Sequence, residues 1–158
     1  MTAETLTGTR AASTFPVYRP SGAGALAVAY GHYNIAANVE AGDIFNLCKI
    51  PAGAVVVDGV VRAADLDTGT EALDMDVGWA ANGTEAADAD GFGNFGVWTG
   101  AAVTDIKPEV CIYLPLNGTL KNGPVSFTNE TTITLTANVA AATFAAGTVT
   151  VVVYYVVP

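Results

Sequence analysis

Short apolar segments separated by Gly, Pro, Asn and Asp clusters run from residue 25 to the C-terminus, and this spacing constrains the fold most strongly. Segments of that length between turn-forming residues are typical of β-strands. The spacing predicts strands over residues 25–36, 43–50, 54–62, 71–79, 95–103, 110–116, 131–137 and 148–157. Eight short strands are the number found in a jelly roll. We therefore predict an all-β protein whose residues 25–158 form a single antiparallel β-sandwich of jelly-roll type.

The last predicted strand is apolar on both of its faces. One face carries Val149, Val151, Val153, Tyr155 and Val157, and the other carries Val152, Tyr154 and Val156. A single sandwich gives a strand only one core to face, so the other face needs a second cover. We expect a subunit contact or a covering arm on this strand.

Three other segments leave a choice of local structure. The Asp58-Gly59 pair fits a hairpin turn, but its flanks are short, and a continuous strand with a bulge is favoured. Residues 138–146 fit either two helical turns or a tight loop. Residues 80–96 are predicted to form a long surface loop.

Residues 1–24 differ from the rest of the chain and are predicted to form an extended N-terminal arm. They show no periodicity, and Pro16 and Pro20 disfavour helix and remove two backbone donors. Phe15, Val17 and Tyr18 are the apolar residues able to anchor such an arm.

The charge of the chain excludes several classes of partner. Six basic and fifteen acidic residues give a net charge of −9 among 158 residues. Such a chain repels phosphate backbones and anionic lipid, so we expect no nucleic acid and no membrane as partner. The N-terminus lacks the basic and apolar regions of a signal peptide, which predicts synthesis in a cytoplasm. Cys48 and Cys111 are predicted to be buried free thiols.

The sequence offers little material for catalysis or metal binding. His32 is the one histidine, and with two cysteines it is too little for the usual zinc site. No nucleophile motif accompanies it, and a packed or interface histidine is the simpler interpretation. We predict that the protein is not an enzyme and needs no cofactor and no metal.

Two acidic stretches, residues 65–71 and 88–94, raise the question of calcium. The second has an Asp-x-Asp-Gly core, but Ala86 and Val97 stand where an EF-type loop needs its first and last ligands. Aspartates that cap turns through backbone amides are the alternative for both stretches. Asp74 and Asp76 are predicted to point outward and to be solvated.

Phe92, Phe95 and Trp98 lie among glycines near the end of the predicted surface loop. If exposed, they would form a contact patch suited to stacking on sugars. If buried, they would pin the loop to the sandwich, which is the favoured interpretation.

Several phrases, taken in order, resemble small virion proteins of tailed bacteriophages that are often encoded beside the major capsid protein. The phrases are VEAGDIFNL (39–47), KIPAGA (49–54), LDMDVGW (73–79), ADADGF (87–92) and GTVTVVVYY (147–155). The resemblance covers residues 25–157 and is a pattern of strands and turns. It implies a head decoration (cement) protein or head-fibre component with a jelly-roll sandwich, commonly trimeric.

We predict a structural protein that decorates and stabilises the outer surface of a tailed-phage capsid by bridging capsid subunits. Its expected partners are the major capsid protein and itself, as a homotrimer. The candidate capsid contacts are Arg10, Phe15, Val17, Tyr18 and Arg19, and the candidate subunit contacts are Val152, Tyr154 and Val156. Two alternatives remain: a head-fibre, tail-fibre or adhesin component that binds host-surface glycans, and an enzyme or ligand-binding jelly roll.

Overall fold

A computed structural model describes residues 3–14, 24–98, 110–116 and 118–158. The strands are β1 Thr5–Thr7, β2 Leu26–Ile35, β3 Ile44–Ile50, β4 Val55–Ala63, β5 Asp74–Trp79, β6 Asp88–Gly93, β7 Val110–Tyr113, β8 Val125–Ser126, β9 Thr131–Val139 and β10 Gly147–Val156. Short 3₁₀ turns cover Thr9–Ala11, Leu114–Leu116 and Thr119–Asn122.

The strands form two sheets packed face to face, so the fold is an all-β sandwich of jelly-roll type, as predicted. The first sheet has the order β1-β3-β9-β5-β6, and the second has the order β2-β10-β4-β7, with β8 pairing with β4. Among the described strands every pairing is antiparallel except that of β1 with β3.

The core lies between the sheets because successive side chains of a strand point to opposite faces. β9 and β5 contribute Ile133, Leu135, Met75 and Val77, all fully buried. From the second sheet, β10 contributes Val149, Val151, Val153 and Tyr155, which are also buried. At one end Trp79 packs edge-on against Phe92 and Phe127, with ring centroids 5.0 and 5.1 Å apart.

β10 is the central strand of the second sheet. It pairs along its length with β2 on one side and β4 on the other. β4 continues through Asp58 and Gly59, and its register against β10 shifts between Tyr154 and Tyr155. The favoured prediction of a continuous strand with a bulge is therefore confirmed.

The predicted strand over residues 95–103 is wrong where the structure describes it. Residues 95–98 contain an isolated bridge between Asp74 and Val97, and the rest of that range lies outside the described residues. The edge strand is instead β6, inside the segment predicted to be a loop. Gly91 allows this because a Cβ there would collide with the Trp79 ring, so β6 can lie directly against that side chain.

Residues 3–14 lie on the sandwich. β1 pairs with β3, and the buried Asp43 carboxylate accepts the Glu4 and Glu40 backbone N–H groups at 2.8 and 2.9 Å. The division into an arm of residues 1–24 and a sandwich of residues 25–158 remains a prediction. At Gly31 a Cβ would collide with the Leu47 carbonyl oxygen, so glycine permits β2 to approach β3 closely.

The buried Asp67 side chain joins two loops through four backbone donors. Oδ2 accepts the N–H groups of Ala72, Leu73 and Ala142 at 2.7–3.0 Å, and Oδ1 accepts that of Thr143 at 2.7 Å. Burial alone would raise the pKa of Asp67, but these donors outweigh it and lower the pKa to about 2. This aspartate therefore holds loops together, as the capping alternative for residues 65–71 required.

We predict that Asp67→Asn lowers the free energy of unfolding at pH 7 by about 2–4 kcal/mol, because an amide cannot accept four backbone donors as a carboxylate does. A carboxyl whose folded pKa lies below its unfolded value stabilises above the unfolded pKa and loses that effect as pH falls. The variant and the wild type should therefore converge between about pH 4 and pH 2.

Urea unfolding at a series of pH values measures this difference. Asp65→Asn is the matched control, since Asp65 accepts one backbone N–H, at 3.2 Å. Equal losses in the two variants, or a difference that does not shrink in acid, would contradict the assignment.

Candidate interaction surface

The side of the second sheet that points away from the core, here called the outer face, carries most of the exposed large apolar side chains among the described residues. Its side chains form rows across the strands. One row contains Leu26, Val156 and Val55, the next contains Val28, Tyr154 and Asp58, the third contains Tyr30, Val152, Val60 and Tyr113, and the last contains His32, Thr150, Arg62 and Cys111.

Large apolar side chains on this face are open to solvent. Leu26 is 63% exposed, Tyr113 is 59% exposed, and Val28 and Tyr30 are 42% and 45% exposed. A groove of about 440 Å³ runs between Leu26, Tyr113 and Tyr154, with Asp58 and Arg62 among the residues lining it. Contiguous exposed apolar surface of this kind marks an interaction site more often than a free surface.

The predicted subunit contacts all lie on this face. Val152, Tyr154 and Val156 are half-buried, whereas the opposite side of β10 is fully buried in the core. The strand is therefore apolar on both sides, as the sequence indicates, but only its outward side is free for a partner.

Formal charge is distributed unevenly across the outer face. Asp58 lies in the second row, and Arg62 lies two rows further along the same strand, in the row of His32, with Thr150 between the two. All three side chains are exposed. The row that contains Val152 and Val60 separates the carboxylate of Asp58 from the guanidinium of Arg62.

Arg10 lies against this face, at β2. Its guanidinium carbon is 3.8 Å from the centroid of the Tyr30 ring, and Nη2 donates to the Tyr30 hydroxyl at 2.6 Å. The structure thus places Arg10 on its own sandwich, next to the exposed apolar side chains. The other candidate capsid contacts, Phe15, Val17, Tyr18 and Arg19, lie outside the described residues.

Sequence reasoning missed Leu26, Asp58, Arg62 and Tyr113 as members of this surface. A usable signal was present, because Asp58 and Arg62 interrupt a run of valines with charge at a spacing that puts both on one face of a strand. Tyr113 gave no such signal, since its neighbours along β7 do not reveal which face is buried.

The aromatic side chains near the end of β6 pin the chain to the sandwich. Phe92 and Trp98 are buried, and Phe95 is half-buried against the core. The favoured interpretation is confirmed, and these three residues do not form an exposed platform for sugars.

The outer side of the first sheet carries an acidic group at β5 and β6. The prediction that Asp76 is solvated is wrong: it is 4% exposed, and its Oδ2 accepts a hydrogen bond from Nδ2 of Asn138 on the neighbouring strand β9 at 2.6 Å. Burial raises the pKa of Asp76, Asn138 opposes this, and the charges of Asp74 and Asp90 raise it further. Burial also raises the pKa of Asp88, together with a hydrogen bond to Asp90.

Within the described residues no three His, Cys, Asp or Glu side chains are arranged to hold a metal ion. The prediction that no metal is required remains a prediction. No helix in the described part of the chain is long and apolar enough to span a bilayer.

The two cysteines differ in environment. Burial raises the pKa of the Cys48 thiol to about 12, against a smaller opposing effect of Arg10. Cys111 is exposed, so the prediction of two buried thiols holds for Cys48 and is wrong for Cys111. The reason is that β7 lies at the edge of the second sheet and turns Cys111 to the outer face, beside Arg62.

No family model matches the sequence, and no curated protein matches it either. Solved structures do match the fold. A chain in the capsid of Ralstonia phage GP4 aligns with a TM-score of 0.73 and 21% identity, covering 98% of both chains. A chain in the capsid asymmetric unit of cyanophage Pam1 aligns with a TM-score of 0.65 and 22% identity, covering 93% of this chain and 96% of that one.

A third match lies in the acidic stable capsid structure of Helicobacter pylori bacteriophage KHP30. It has a TM-score of 0.54 and 15% identity, and covers 84% of this chain and 88% of that chain. At these identities the matches establish the fold, which is one that occurs in phage capsid structures.

We predict that Asp76→Asn stabilises the protein at pH 7 by about 1 kcal/mol, because it removes a buried charge and keeps an acceptor for Asn138. A carboxyl whose folded pKa is raised stabilises most when protonated and loses that effect as pH rises through the folded value. The free energy of unfolding of the wild type should therefore rise relative to that of the variant as the pH is lowered from 7.

Thermal unfolding at a series of pH values from 7 down to about 4, the ordinary range of an aspartate, measures this change. Glu4→Gln is the control, because Glu4 is exposed and lies at the opposite edge of the same sheet. A variant less stable than the wild type at pH 7 would contradict the expected sign.

Proposed function

We propose that this protein is a structural component of a tailed-phage virion that decorates the outer surface of the capsid and stabilises it by bridging capsid subunits. The observation that carries the proposal is the fold: the chain aligns over most of its length with chains from three phage capsid structures. The sequence resemblance to small virion proteins supports the same role independently. In this proposal the protein is made in the host cytoplasm and is then added to the capsid.

The surface of the sandwich suits such a role. A decoration protein needs contact area and many copies, because weak contacts repeated over a closed shell act together. The outer face supplies exposed apolar area for the proposed contact between copies, through Leu26, Tyr30 and Tyr113. A net charge of −9 also disfavours adsorption to nucleic acid, which suits a protein outside the shell.

The major capsid protein is the proposed partner of the N-terminal segment. Arg10 and Arg19 against Glu4 give residues 1–24 a charge of +1, while the rest of the chain is acidic. A locally basic segment can approach an acidic capsid surface that the body of the protein would avoid. Phe15, Val17, Tyr18 and Arg19 are the proposed contacts, together with Arg10, which packs on Tyr30.

The glycan-binding alternative loses the observation that motivated it. It needed Phe92, Phe95 and Trp98 on an exposed loop, and the first and last of these are buried. The homotrimer remains part of the proposal, with Val152, Tyr154 and Val156 at or near the contact between copies. Its number of subunits comes from the resemblance, and its location comes from the half-buried outward side of β10.

We predict that replacing Phe15, Val17, Tyr18 and Arg19 together by serine weakens binding to undecorated capsids by at least about tenfold, because the contacting side chains are lost. Residues 3–14 stay intact in this variant, which matters because deleting them would remove β1 and the Asp43 contacts. Co-sedimentation with capsids measures the affinity, and the melting temperature of the decorated capsid measures the stabilisation.

Lys121→Ser is the control, since Lys121 is exposed and far from residue 15 in the sequence. Unchanged binding by the fourfold variant would remove the role of the N-terminal segment. If the full-length wild type does not bind capsids at all, the decoration role fails with it.

A further inference from the structure

Asp58 and Arg62 lie on the same side of β4, on either side of the row that contains Val152, Val60 and Tyr113. Asp58 is paired in register with Tyr154, and Arg62 is paired with Thr150. Four residues along a strand correspond to about 13 Å, which is too far for an ion pair within one copy. The groove between Leu26, Tyr113 and Tyr154 is lined by both charged residues.

Neither charge is neutralised by an ion pair among the described residues. The salt bridge recorded there joins Lys49 to Glu130 in another part of the sandwich. Asp58 accepts the N–H of the adjacent Gly59 at 2.6 Å, which leaves its second carboxylate oxygen available. Basic residues are scarce in this chain, with six against fifteen acidic ones, and Arg62 is one of them. Its position on an exposed apolar face therefore indicates a contact with an acidic partner group.

We propose that copies of this chain associate head to tail through the outer face, so that Asp58 of one copy pairs with Arg62 of the next. The proposal rests on the trimer stated above and adds to it the orientation of the copies and the pair that fixes it. The occupant of the face is a second copy because the face is complementary to itself: Asp58 lies toward one end and Arg62 toward the other, with one row of residues between them.

Three copies can satisfy every such pair in a closed ring. If the outer faces line a three-fold axis and their strands run around it, the Asp58 end of each face meets the Arg62 end of the next. Val152 and Tyr113, in the row between the charges, then face the axis and exclude water. An ion pair at the edge of such a dry contact is screened less by solvent than one on a free surface.

The experiment reverses each charge and then exchanges the two. Asp58→Arg makes both ends of the face basic, and Arg62→Asp makes both ends acidic, so each single variant brings like charges together at every contact. We expect each to raise the dissociation constant of the trimer by about tenfold or more. The double variant D58R/R62D exchanges the two charges and should restore association to within about threefold of the wild type.

Sedimentation velocity from about 1 to 100 µM gives the dissociation constants. The controls are Glu4→Arg and Lys121→Asp, which make the same changes of net charge at exposed positions outside the outer face. Circular dichroism and the melting temperature of each variant establish that it is folded. Single variants that associate like the wild type, or a double variant that stays dissociated although folded, would overturn the pairing.

An equimolar mixture of the two single variants distinguishes a ring of three from a face-to-face pair. In a face-to-face dimer of one D58R copy and one R62D copy, every basic side chain can pair with an acidic one. A ring of three made from these two variants must contain at least one contact between copies of the same variant, where like charges meet. We therefore expect that no trimer forms in the mixture. Efficient association in the mixture would overturn the head-to-tail ring.

These outcomes separate the pairing from the proposals beneath it. A wild type that sediments as a single 158-residue chain over the whole range overturns the trimer and the pairing together. If the wild type forms a trimer and both charge-reversal variants associate as strongly as it does, the pairing alone is overturned. Binding to capsids is measured in a separate assay, so none of these outcomes decides the decoration role.

Discussion

The second sheet is built around a strand that is apolar on both sides, and much of the structure depends on that constraint. β10 occupies the centre of the sheet, where β2 and β4 satisfy its backbone. Its inward side chains, from Val149 to Tyr155, complete the core against the first sheet. Because a sandwich has only one interior, the outward side of β10 is left without a cover, and the exposed side chains of β2 and β7 extend this apolar area.

Buried carboxylates hold together the parts of the chain that the sheets do not. Asp67 ties the loop before β5 to the loop between β9 and β10 through four backbone donors. Asp43 ties residue 4 to the turn before β3 in the same way. Asp76 differs from Asp67, because burial raises its pKa more than the hydrogen bond from Asn138 lowers it. Acid is therefore expected to affect Asp67 and Asp76 in opposite directions.

The sequence was sufficient for the fold class and for most strands, because alternation and turn residues report directly on local geometry. It failed at β6, where Asp88, Asp90 and two glycines resemble a loop, and where the packing of Gly91 on Trp79 decides the outcome. It located the part of the candidate surface that β10 contributes. Leu26 and Tyr113 reach that surface through strand pairing between distant segments, which no local pattern encodes.

Hydroxyl-radical footprinting tests most directly whether the outer face of the second sheet is the surface that assembly buries. The oxidation rates of Tyr113 and Tyr154 would be compared between the isolated protein at high dilution and the protein on capsids. Tyr33, half-buried against Phe45 with ring centroids 5.5 Å apart, serves as the internal reference. We predict that Tyr113 and Tyr154 become several-fold protected on capsids while Tyr33 does not change. Equal oxidation of Tyr113 and Tyr154 in the two states would contradict the account.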